Sequence, residues 1–470
     1  MAILIWLMVQ TMSRDSYHVA VIGAGASGTL VAAQLNRLAP PHAKLAIIGS
    51  QSQPARGVAY ETAFQTNLLN VPAGNMSAFP GDMDHFVSWL KTNLPGSDAG
   101  TFAPRKIYGD YLTAIFEDSL NNSPRMDYFN ASVRTLTRKD GKWMVYFDNG
   151  ASLESTSIVL ALGNLLLPSS PIDFNAAGSA YHLNPWSSEI NKDLKTDAPV
   201  LLIGTGLTMV DVTLSLREAG HRGPIHAISR HGRLYQTHNP YQPRPLNKLS
   251  EDFNSPLSAL RWIRREIKNA ERDGTNWRAV IDSLRPHTST IWNFWSQAQR
   301  AAFLRHVRNF WDIHRHRMPP ETSNQLRMLV EEGTLVLHTG RLISVDSNDS
   351  GLSVHWQDAE TGKSTINVAR IINCTGPSRD ITRVQSSLVV GLLTDGWITP
   401  DPLGLGPQTD LQGRLLHTNG QASPNLYAIG PLRIASLWES IAIPEIRNQA
   451  LELARLLISE SIESRSTSHL

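Results

Sequence analysis

Cysteine is almost absent from this sequence, which carries a single thiol, Cys374, in 470 residues. One cysteine excludes an internal disulfide framework, a Cys-x-x-Cys redox pair and a cysteine-rich metal site. A dominant charge is absent as well, because 43 Lys and Arg residues are balanced by 41 Asp and Glu residues. This balance gives no support to a protein that binds nucleic acid or another polyanion through its overall charge.

Long apolar runs are also missing. The N-terminal stretch, Met1–Gln10, is apolar but too short to cross a bilayer as a helix. It lacks the preceding positive charge and the small-residue cleavage site of a clear signal peptide. We therefore expect residues 1–16 to be a disordered leader, and the protein to be soluble and cytoplasmic with no membrane partner.

The clearest motif is a glycine turn near the start of the chain. An apolar run at 17–22 enters Gly23-Ala24-Gly25-Ala26-Ser27-Gly28, and an Ala/Leu-rich stretch follows. In a G-x-G-x-x-G pattern the first glycine permits a tight turn, the second lets the backbone approach a pyrophosphate, and the third lets helix and strand pack closely. Free N–H groups at the helix N-terminus then face the phosphates. The pattern predicts a dinucleotide site, with a plain glycine turn as the alternative.

The acidic residue that such a site usually places at the end of its second strand is missing. The second predicted strand, 44–48, is followed by Gly49 and Ser50, and neither carries a carboxylate. We expect a backbone or hydroxyl contact from Gly49 or Ser50 to bind the ribose instead.

A second glycine turn begins 181 residues after the first, at Gly204. A strand at 200–203 enters Gly204-Thr205-Gly206-Leu207-Thr208-Met209, and a helix follows at 210–219. Met209 replaces the third glycine, so helix and strand should lie further apart. Asp211 falls within the first helical turn, where a carboxylate favours the helix dipole, and we expect it to cap the helix.

Ser229 and Arg230 stand at the end of the next strand, where a dinucleotide site distinguishes NADPH from NADH. A guanidinium there can bind the 2′-phosphate that only NADPH carries. The sequence thus favours NADPH, and the alternative is a solvated arginine at a strand end.

Residues 240–320 differ from the rest in composition, with 14 Lys and Arg against 7 Asp and Glu, and five tryptophans. Trp277, Val280, Ile281 and Leu284 lie at helical spacing, and the stretch from Phe303 to Trp311 repeats it. Together with the two glycine turns, this predicts an α/β protein with two Rossmann-like dinucleotide-binding domains and a helical insertion.

Three interpretations of the basic insertion stay open: a solvated helical face, a site for an anionic substrate, or a docking face for a protein or nucleic acid. Arg315 and Arg317 are the candidates for an anion, because arginine binds planar anions through two hydrogen bonds. His314 and His316 lie two residues apart without a neighbouring cluster of Cys or carboxylates, so we predict no metal site.

Seven segments form a combined pattern: 56–60 (RGVAY), 67–76 (NLLNVPAGNM), 104–112 (PRKIYGDYL), 204–211 (GTGLTMVD), 314–320 (HRHRMPP), 374–377 (CTGP) and 444–447 (PEIR). This pattern resembles one flavoprotein family, which contains flavin-dependent urate hydroxylases and aspartate N-monooxygenases. The resemblance implies an FAD-binding domain formed by residues 17–197 and 365–470. An NADPH-binding domain, residues 198–364, is then inserted between its two parts.

The glycine turns, the strand ends and the resemblance together indicate which residues bind the cofactors. The FAD contacts are Gly23, Ala24, Gly25, Ala26, Ser27, Gly28, Gly49, Ser50, Arg56, Gly57, Asn70, Val71, Met76, Gly163, Gly376, Gly430 and Pro431. The NADPH contacts are Gly204, Thr205, Gly206, Leu207, Thr208, Ser229 and Arg230. Asn70 is the polar side chain expected near the reacting edge of the flavin, and Arg315 the one expected near the substrate.

In the chemistry that this resemblance implies, NADPH reduces the flavin, dioxygen adds to the reduced ring, and the hydroperoxide transfers one oxygen atom. The implied function is a monooxygenase that hydroxylates a small polar nitrogenous substrate, urate-like or an amino acid, of anionic character. A flavin reductase or electron-transfer flavoprotein serving a partner protein is an alternative, as is a nucleotide-binding scaffold without redox activity. The lone Cys374 argues against a disulfide oxidoreductase.

Overall fold

A computed structural model describes residues 16–51, 53–121, 125–165, 172–348, 351–358, 360–377 and 379–463. Nearly all of the expected leader, residues 1–15, lies outside the described residues. Its last residue, Ser16, begins the first strand.

The strands, in chain order, are β1 (Ser16–Ile22), β2 (Leu45–Gly49), β3 (Met126–Asn130), β4 (Val133–Lys139), β5 (Lys142–Phe147), β6 (Ser152–Leu160), β7 (Tyr181–His182), β8 (Val200–Ile203), β9 (Ile225–Ser229), β10 (Leu335–Asn348), β11 (Gly351–Asp358), β12 (Gly362–Val368), β13 (Arg370–Asn373), β14 (Arg414–Leu416) and β15 (Ala422–Ala428). The α-helices are α1 (Ala26–Leu38), α2 (Gly57–Tyr60), α3 (His85–Asn93), α4 (Arg105–Asn121), α5 (Leu207–Glu218), α6 (Pro256–Arg272), α7 (Trp277–Ser283), α8 (Thr288–Phe294), α9 (Gln297–His306), α10 (Arg308–Arg315), α11 (Pro320–Glu331), α12 (Ser387–Thr394), α13 (Ile434–Leu437) and α14 (Ile443–Leu457).

The first sheet has the strand order β14-β15-β6-β1-β2-β3. Strands β15, β6, β1, β2 and β3 are parallel neighbours, while β14 and the β4–β5 hairpin join in antiparallel fashion. Strand β1 lies in the middle, with Val21 paired to Val159 on one side and to Ile47 on the other. The glycine turn that follows β1 therefore lies at the centre of the carboxyl edge of this sheet.

The second sheet has the order β12-β11-β10-β9-β8-β13-β7. Strands β10, β9, β8, β13 and β7 are parallel, and β11 and β12 extend the edge as an antiparallel meander. Strands β7 and β13 lie outside the limits 198 and 364 expected for the second domain, so this sheet takes chain from both sides of that range. The domain division itself stays a prediction.

Both faces of the first sheet are covered, which explains why β2 is buried along its whole length. Ile47 packs on one face in a core shared with Leu30 of α1 and Leu453 of α14. Ile48, the next residue, points to the other face and packs with Trp143 and Leu388. This alternation, with helices on the sheet, confirms the predicted α/β class with Rossmann-type units.

The insertion at 240–320 holds α6 to α10, and the helix expected at Trp277 is present as α7. One expectation is wrong: the spacing from Phe303 to Trp311 does not belong to a single helix. The backbone bends at Val307 (φ −112°, ψ −32°), between α9 and α10. The bend lets Phe303 pack among buried tryptophans while Phe310 lies under a guanidinium near the surface.

Candidate functional site

The first glycine turn is fixed by backbone contacts that leave no room for side chains at two of its positions. Gly23 has φ +113°, and a Cβ there would lie 2.3 Å from the carbonyl oxygen of Ala161 at the end of β6. A Cβ at Gly28 would lie 1.9 Å from the carbonyl oxygen of Gly23. The first glycine therefore supplies the turn, and the third lets α1 pack directly against it.

Gly25 serves a different purpose from its neighbours. Its backbone is extended (φ −82°, ψ −168°) at the N-cap of α1, so the angle itself does not require glycine. A Cβ would meet only ordinary contacts, the nearest being the Cα of Gly57 at 3.4 Å. The missing side chain leaves open the space in front of the helix N-terminus, where backbone N–H groups can receive an anion.

A short loop covers this turn. The amide of Ala55, which has φ +76°, donates to the carbonyl of Ala24 at 2.6 Å. The next residue, Arg56, pairs with Asp110 of α4 at 2.5 Å. Gly57, with φ +59°, then begins α2 beside Gly25. Contacts with α4 thus hold the segment 56–60 (RGVAY) beside the first glycine turn.

A cleft of about 370 Å³ opens at this turn. Among the predicted FAD contacts, those that line it are Gly23, Ala24, Gly25, Ala26, Ser27, Gly49, Ser50, Arg56, Gly57, Gly163 and Pro431. Gly430 lies directly behind the lining, because a Cβ on it would be 2.5 Å from the Ser27 hydroxyl. The cleft therefore brings together residues from four separate parts of the sequence.

Sequence reasoning missed Gln51, the residue that follows Ser50. Gln51 follows β2 and lines the cleft, and its side-chain carbonyl oxygen is buried with no hydrogen-bond partner among the described residues. A buried acceptor without a donor is costly. Its position, two residues after Gly49, could have indicated a ribose contact. A search for carboxylates overlooks it because glutamine carries an amide.

The predicted contacts Asn70, Val71 and Met76 lie on a segment that does not line the cleft. His238 of the second unit contacts the carbonyl oxygen of Asn70 through its Nε2 atom at 2.9 Å. Met76 is 2% exposed, and its carbonyl accepts from the Tyr108 hydroxyl at 2.9 Å. Their roles at the flavin stay predictions, as does that of Gly376, which follows β13 of the second sheet.

Arg447 holds the same segment from the C-terminal helix α14. Its guanidinium is buried and donates to the carbonyls of Asn75 at 3.1 Å and Ser77 at 3.0 Å. Burial lowers the pKa of Arg447, and the neighbouring Tyr108 and Glu445 oppose this effect. The PEIR motif thus contributes a positioning contact that links the two ends of the chain.

The second glycine turn has the same backbone form as the first. Gly204 has φ +108°, and a Cβ there would lie 2.8 Å from the carbonyl oxygen of Cys374. Gly206 is the N-cap of α5 with an extended backbone (φ −82°, ψ −175°). The ring of Tyr235 faces it, 3.7 Å from where a Cβ would be. Met209 is completely buried at the third position.

The hydroxyl groups predicted to touch NADPH are bonded within the chain. The hydroxyl of Thr205 lies 2.9 Å from that of Ser229 and donates to the carbonyl of Arg233 at 2.8 Å. Ser229 also accepts from the amide of Gly232 at 2.9 Å. These bonds fix the loop after β9 against the turn, so both hydroxyl groups hold this loop in its conformation.

Arg230 is exposed, and no hydrogen bond or ion pair to another described residue occupies its guanidinium. The neighbouring cation is occupied: Arg233 donates to the Asn309 side chain at 2.8 Å and stacks 4.0 Å above the ring of Phe310. Arg230 is therefore the cation of this loop that is available to an incoming phosphate.

Asp211 does not cap α5, contrary to the expectation. It is the fifth residue of the helix, beyond the first turn, and the first turn has no acidic residue. Its carboxylate is buried and pairs with Arg105 of α4 at 2.9 Å. Burial raises the pKa of Asp211 to about 6, against the opposing effect of Arg105.

This ion pair belongs to a set of contacts between the two units. Asn67 is fully buried; its amide donates to the Asp211 carbonyl at 3.2 Å and accepts from the Ser215 hydroxyl at 3.2 Å. The carboxylate of Glu218 accepts from the amides of Gln65 at 3.1 Å and Thr66 at 3.0 Å. Helix α5, which begins at the second turn, is thereby attached to the segment that follows the first turn.

Arg315 and Arg317, the candidates for an anionic substrate, are paired with carboxylates of the chain. Arg315 pairs with Glu439 at 2.9 Å and Glu445 at 3.6 Å, and Arg317 pairs with Asp282. Burial alone would lower the pKa of Arg315, but the two glutamates raise it. The substrate role of these arginines stays a prediction, and their ion pairs do not favour it.

Cys374 is buried at the end of β13, against the second turn, and burial raises the pKa of its thiol. Among the residues that the structure describes, no cluster of three or more His, Cys, Asp or Glu could hold a metal ion. Within the same residues, no helix has the length and apolarity needed to cross a membrane.

Comparisons with known proteins agree with this geometry. Residues 20–165 match a protein family described as FAD-NAD(P)-binding, a range that includes the first turn and β6. No curated protein matches the sequence significantly.

Several solved structures share the fold. L-lysine 6-monooxygenase from Pseudomonas syringae is 16% identical with a TM-score of 0.67, covering 95% of this chain and 100% of its own. Ornithine N-hydroxylase from Kutzneria sp. 744, solved with reduced FAD, NADP+ and L-ornithine, is 14% identical with a TM-score of 0.65, covering 96% and 100%. The FAD-bound cadaverine monooxygenase of desferrioxamine biosynthesis from Erwinia amylovora is 13% identical with a TM-score of 0.65, covering 95% of each chain. The chain thus has the Rossmann-type fold of FAD- and NAD(P)-binding flavoproteins, and its structural neighbours include N-monooxygenases.

Proposed function

We propose that the protein is an FAD- and NADPH-dependent monooxygenase that hydroxylates a nitrogen atom of a small polar substrate. The observation that carries this proposal is the pair of glycine turns, each at the carboxyl edge of its own parallel sheet, linked by Asn67 and the Arg105–Asp211 ion pair. Two dinucleotide sites held in one body fit an enzyme that passes a hydride from a nicotinamide to a flavin.

The residues at the first turn fit FAD. The cleft lies in front of the N-terminus of α1, and the missing side chains of Gly25 and Gly57 leave it open there for a pyrophosphate. The side-chain carbonyl oxygen of Gln51, which has no partner among the described residues, offers an acceptor for a ribose hydroxyl. When bound, FAD would supply the ability to take a hydride and, once reduced, to activate dioxygen.

The second turn fits NADPH for a matching reason. Gly206 leaves the N-terminus of α5 without a side chain in front of it, and Arg230 after β9 is exposed and pairs with none of the residues that the structure describes. A guanidinium can bind a 2′-phosphate through two charge-assisted hydrogen bonds. The Thr205 hydroxyl bonds this turn to the loop after β9, and Met209 is buried behind it.

The contacts between the units support a role in orientation. Asn67, Glu218 and Arg105 join α5 to elements of the first unit. These contacts hold the second glycine turn in position relative to the first. The only cysteine is buried and its pKa is raised, which disfavours disulfide exchange as the reaction.

The substrate class that we propose is a small nitrogen compound, either an amine-bearing amino acid or diamine or a urate-like ring. The amine is supported by the lysine, ornithine and cadaverine monooxygenases that share the fold. Urate and aspartate are supported by the sequence motifs.

A substrate panel on the purified holoprotein tests the proposal. Lysine, ornithine, cadaverine, aspartate and urate are each supplied with NADPH and oxygen, and hydroxylated product is measured against NADPH consumed. With one of these substrates, the amount of hydroxylated product should nearly equal the amount of NADPH consumed. NADPH oxidation that yields only hydrogen peroxide with every compound would favour the flavin reductase instead, and a protein that binds no flavin would exclude both.

A further inference from the structure

A second cavity lies among the helices that cover one face of the first sheet, between α1, α3 and α4. It has about 240 Å³ of free space, is partly open to solvent, and shares no lining residue with the cleft at the first glycine turn. With about 30 Å³ for each water and the close packing of protein interiors, this space holds a molecule of roughly ten non-hydrogen atoms. Its lining combines rings with two charged side chains: Phe79, His85, Trp89, Tyr111, Arg37 and Asp118.

The guanidinium of Arg37, in the last turn of α1, is one polar group of this cavity. Its central carbon lies 3.3 Å from the centroid of the Phe79 ring. A guanidinium that stacks through its flat face keeps its N–H donors in its own plane, where they can meet an acceptor. No hydrogen bond or ion pair to another described residue occupies these donors. Arg37 can therefore bind a carboxylate through two N–H groups.

His85, the first residue of α3, supplies a second polar group. Its Nδ1 lies 2.8 Å from the hydroxyl of Tyr111, and that hydroxyl also accepts from the amide of Ala78 at 3.1 Å. Because the hydroxyl already accepts there, it uses its one proton to donate to Nδ1, and neutral His85 then carries its own proton on Nε2. Burial lowers the pKa of His85, which favours the neutral ring at pH 7. His85 thus offers an N–H donor to an occupant of the cavity.

The rest of the lining selects the body and the charge of the occupant. Trp89 and Ile115 present an aromatic and an aliphatic surface to the cavity, and a planar ring packs well against such groups. The carboxylate of Asp118 stands at the same cavity. It would repel a second negative charge on the occupant, so a molecule with one carboxylate is favoured over one with two.

We propose that this cavity is a binding site for an aromatic compound with one ring and one carboxylate. Arg37 and His85 bind the carboxylate, and the ring packs against Trp89 and Ile115. This combination of apolar walls with a few convergent polar groups is typical of small-molecule sites. Benzoate is the simplest compound of the class, and its size fits the free space. The site lies at the opposite end of α1 from the glycine turn and does not depend on the reaction proposed above.

Titration of the full-length holoprotein with benzoate, followed by saturation-transfer NMR, tests the proposal. Wild type should bind benzoate saturably, with a Kd in the millimolar range that such a small ligand reaches. Arg37→Gln removes a charge at an exposed position and should weaken binding by about 10-fold or more. Arg264→Gln is the matched control, because Arg264 is an exposed arginine of α6 outside the cavity, and it should bind benzoate as wild type does.

A blocking variant and two further compounds sharpen the test. Ala114→Trp, at an exposed lining position of α4, should abolish binding because the added ring fills the space. Benzamide, which lacks the charge, and phthalate, which has a second carboxylate, should each bind more weakly than benzoate. Flavin content and circular dichroism check that each variant is folded, and Arg37→Gln carries the test if Ala114→Trp is not.

Three results would overturn the proposal. Wild type could show no saturable binding of benzoate. Arg37→Gln could bind benzoate as tightly as Arg264→Gln, which would place the benzoate elsewhere on the protein, including the flavin cleft. Benzamide could bind as tightly as benzoate, which would show that the cavity does not recognise a carboxylate.

Discussion

The two glycine turns share a backbone form but differ at equivalent positions of the helix that follows. Gly28 of the first turn corresponds to Met209 of the second, and Leu30 corresponds to Asp211. In the first, α1 lies against the turn and none of its buried residues carries a charge. In the second, a methionine fills the space and a buried carboxylate pairs with Arg105 of the other unit.

The covering elements differ as well. The loop through Ala55 and Gly57 lies over the first turn, leaving a large cleft in front of it. The ring of Tyr235 faces the second turn, and the exposed Arg230 follows the next strand, β9. The first turn thus faces a cleft under a covering loop, whereas the second faces an aromatic ring and its helix contacts the other unit.

The largest effect is expected at Gly28. A Cβ would lie 1.9 Å from the backbone oxygen of Gly23, so Gly28→Ala should yield little soluble protein and no bound FAD. Gly81→Ala is the matched control, because nothing lies within 4 Å of a Cβ there. Soluble yield and the flavin absorbance spectrum measure both, and a yellow, folded Gly28→Ala protein would show that α1 can move away.

At the equivalent position of the second turn, Met209→Ala should destabilise without removing the flavin. Loss of a fully buried methionine costs about 2–5 kcal/mol in a core of this kind. Thermal unfolding should therefore shift to lower temperature while FAD stoichiometry stays unchanged. Loss of FAD in this variant would mean that the two turns are not separate sites.

Asp211 should make the stability of the fold depend on pH. Leu30, the equivalent residue after the first turn, does not titrate and has no such effect. Its pKa is raised by burial to about 6, so folding favours the protonated form, and this contribution to stability is lost as pH rises from about 4 through 6. Relative to Asp211→Asn, wild type should lose up to about 3 kcal/mol of stability over that range. Thermal midpoints of both proteins at about pH 4.5 and pH 7 test this; a constant difference would show that Arg105 keeps the carboxylate charged throughout.

A smaller effect is expected at Arg230. One charge-assisted bond to a 2′-phosphate is worth roughly 1.5–3 kcal/mol, so Arg230→Ala should lower the preference for NADPH over NADH by about 10- to 150-fold. Arg233 should compensate little, since it is bonded to Asn309 and stacked on Phe310. Stopped-flow flavin reduction with each nucleotide measures the ratio, and an unchanged ratio would make Arg230 a surface arginine.

The two glycine turns could be predicted because the sequence pattern that identifies them is local. Spacing of glycines, a preceding strand and a following helix are all contained in a few consecutive residues, and most predicted contacts at the first turn line the cleft. The pairing of Arg315 with Glu439, 124 residues away, and of Asp211 with Arg105 depends on tertiary packing that no local pattern carries. The contact of the Asn67 amide with the second unit depends on tertiary packing in the same way.

The assignment of one cofactor to each turn is tested most directly by flavin content and NADPH-driven flavin reduction in Gly25→Val and Gly206→Val. Both glycines are N-caps with extended backbones and have no Cβ contact shorter than 3.4 Å, so both variants should fold. Gly25→Val should be folded and colourless. Gly206→Val should be yellow, reducible by dithionite, and reduced by NADPH far more slowly than wild type. Stoichiometric FAD in Gly25→Val, or wild-type reduction by NADPH in Gly206→Val, would contradict the account.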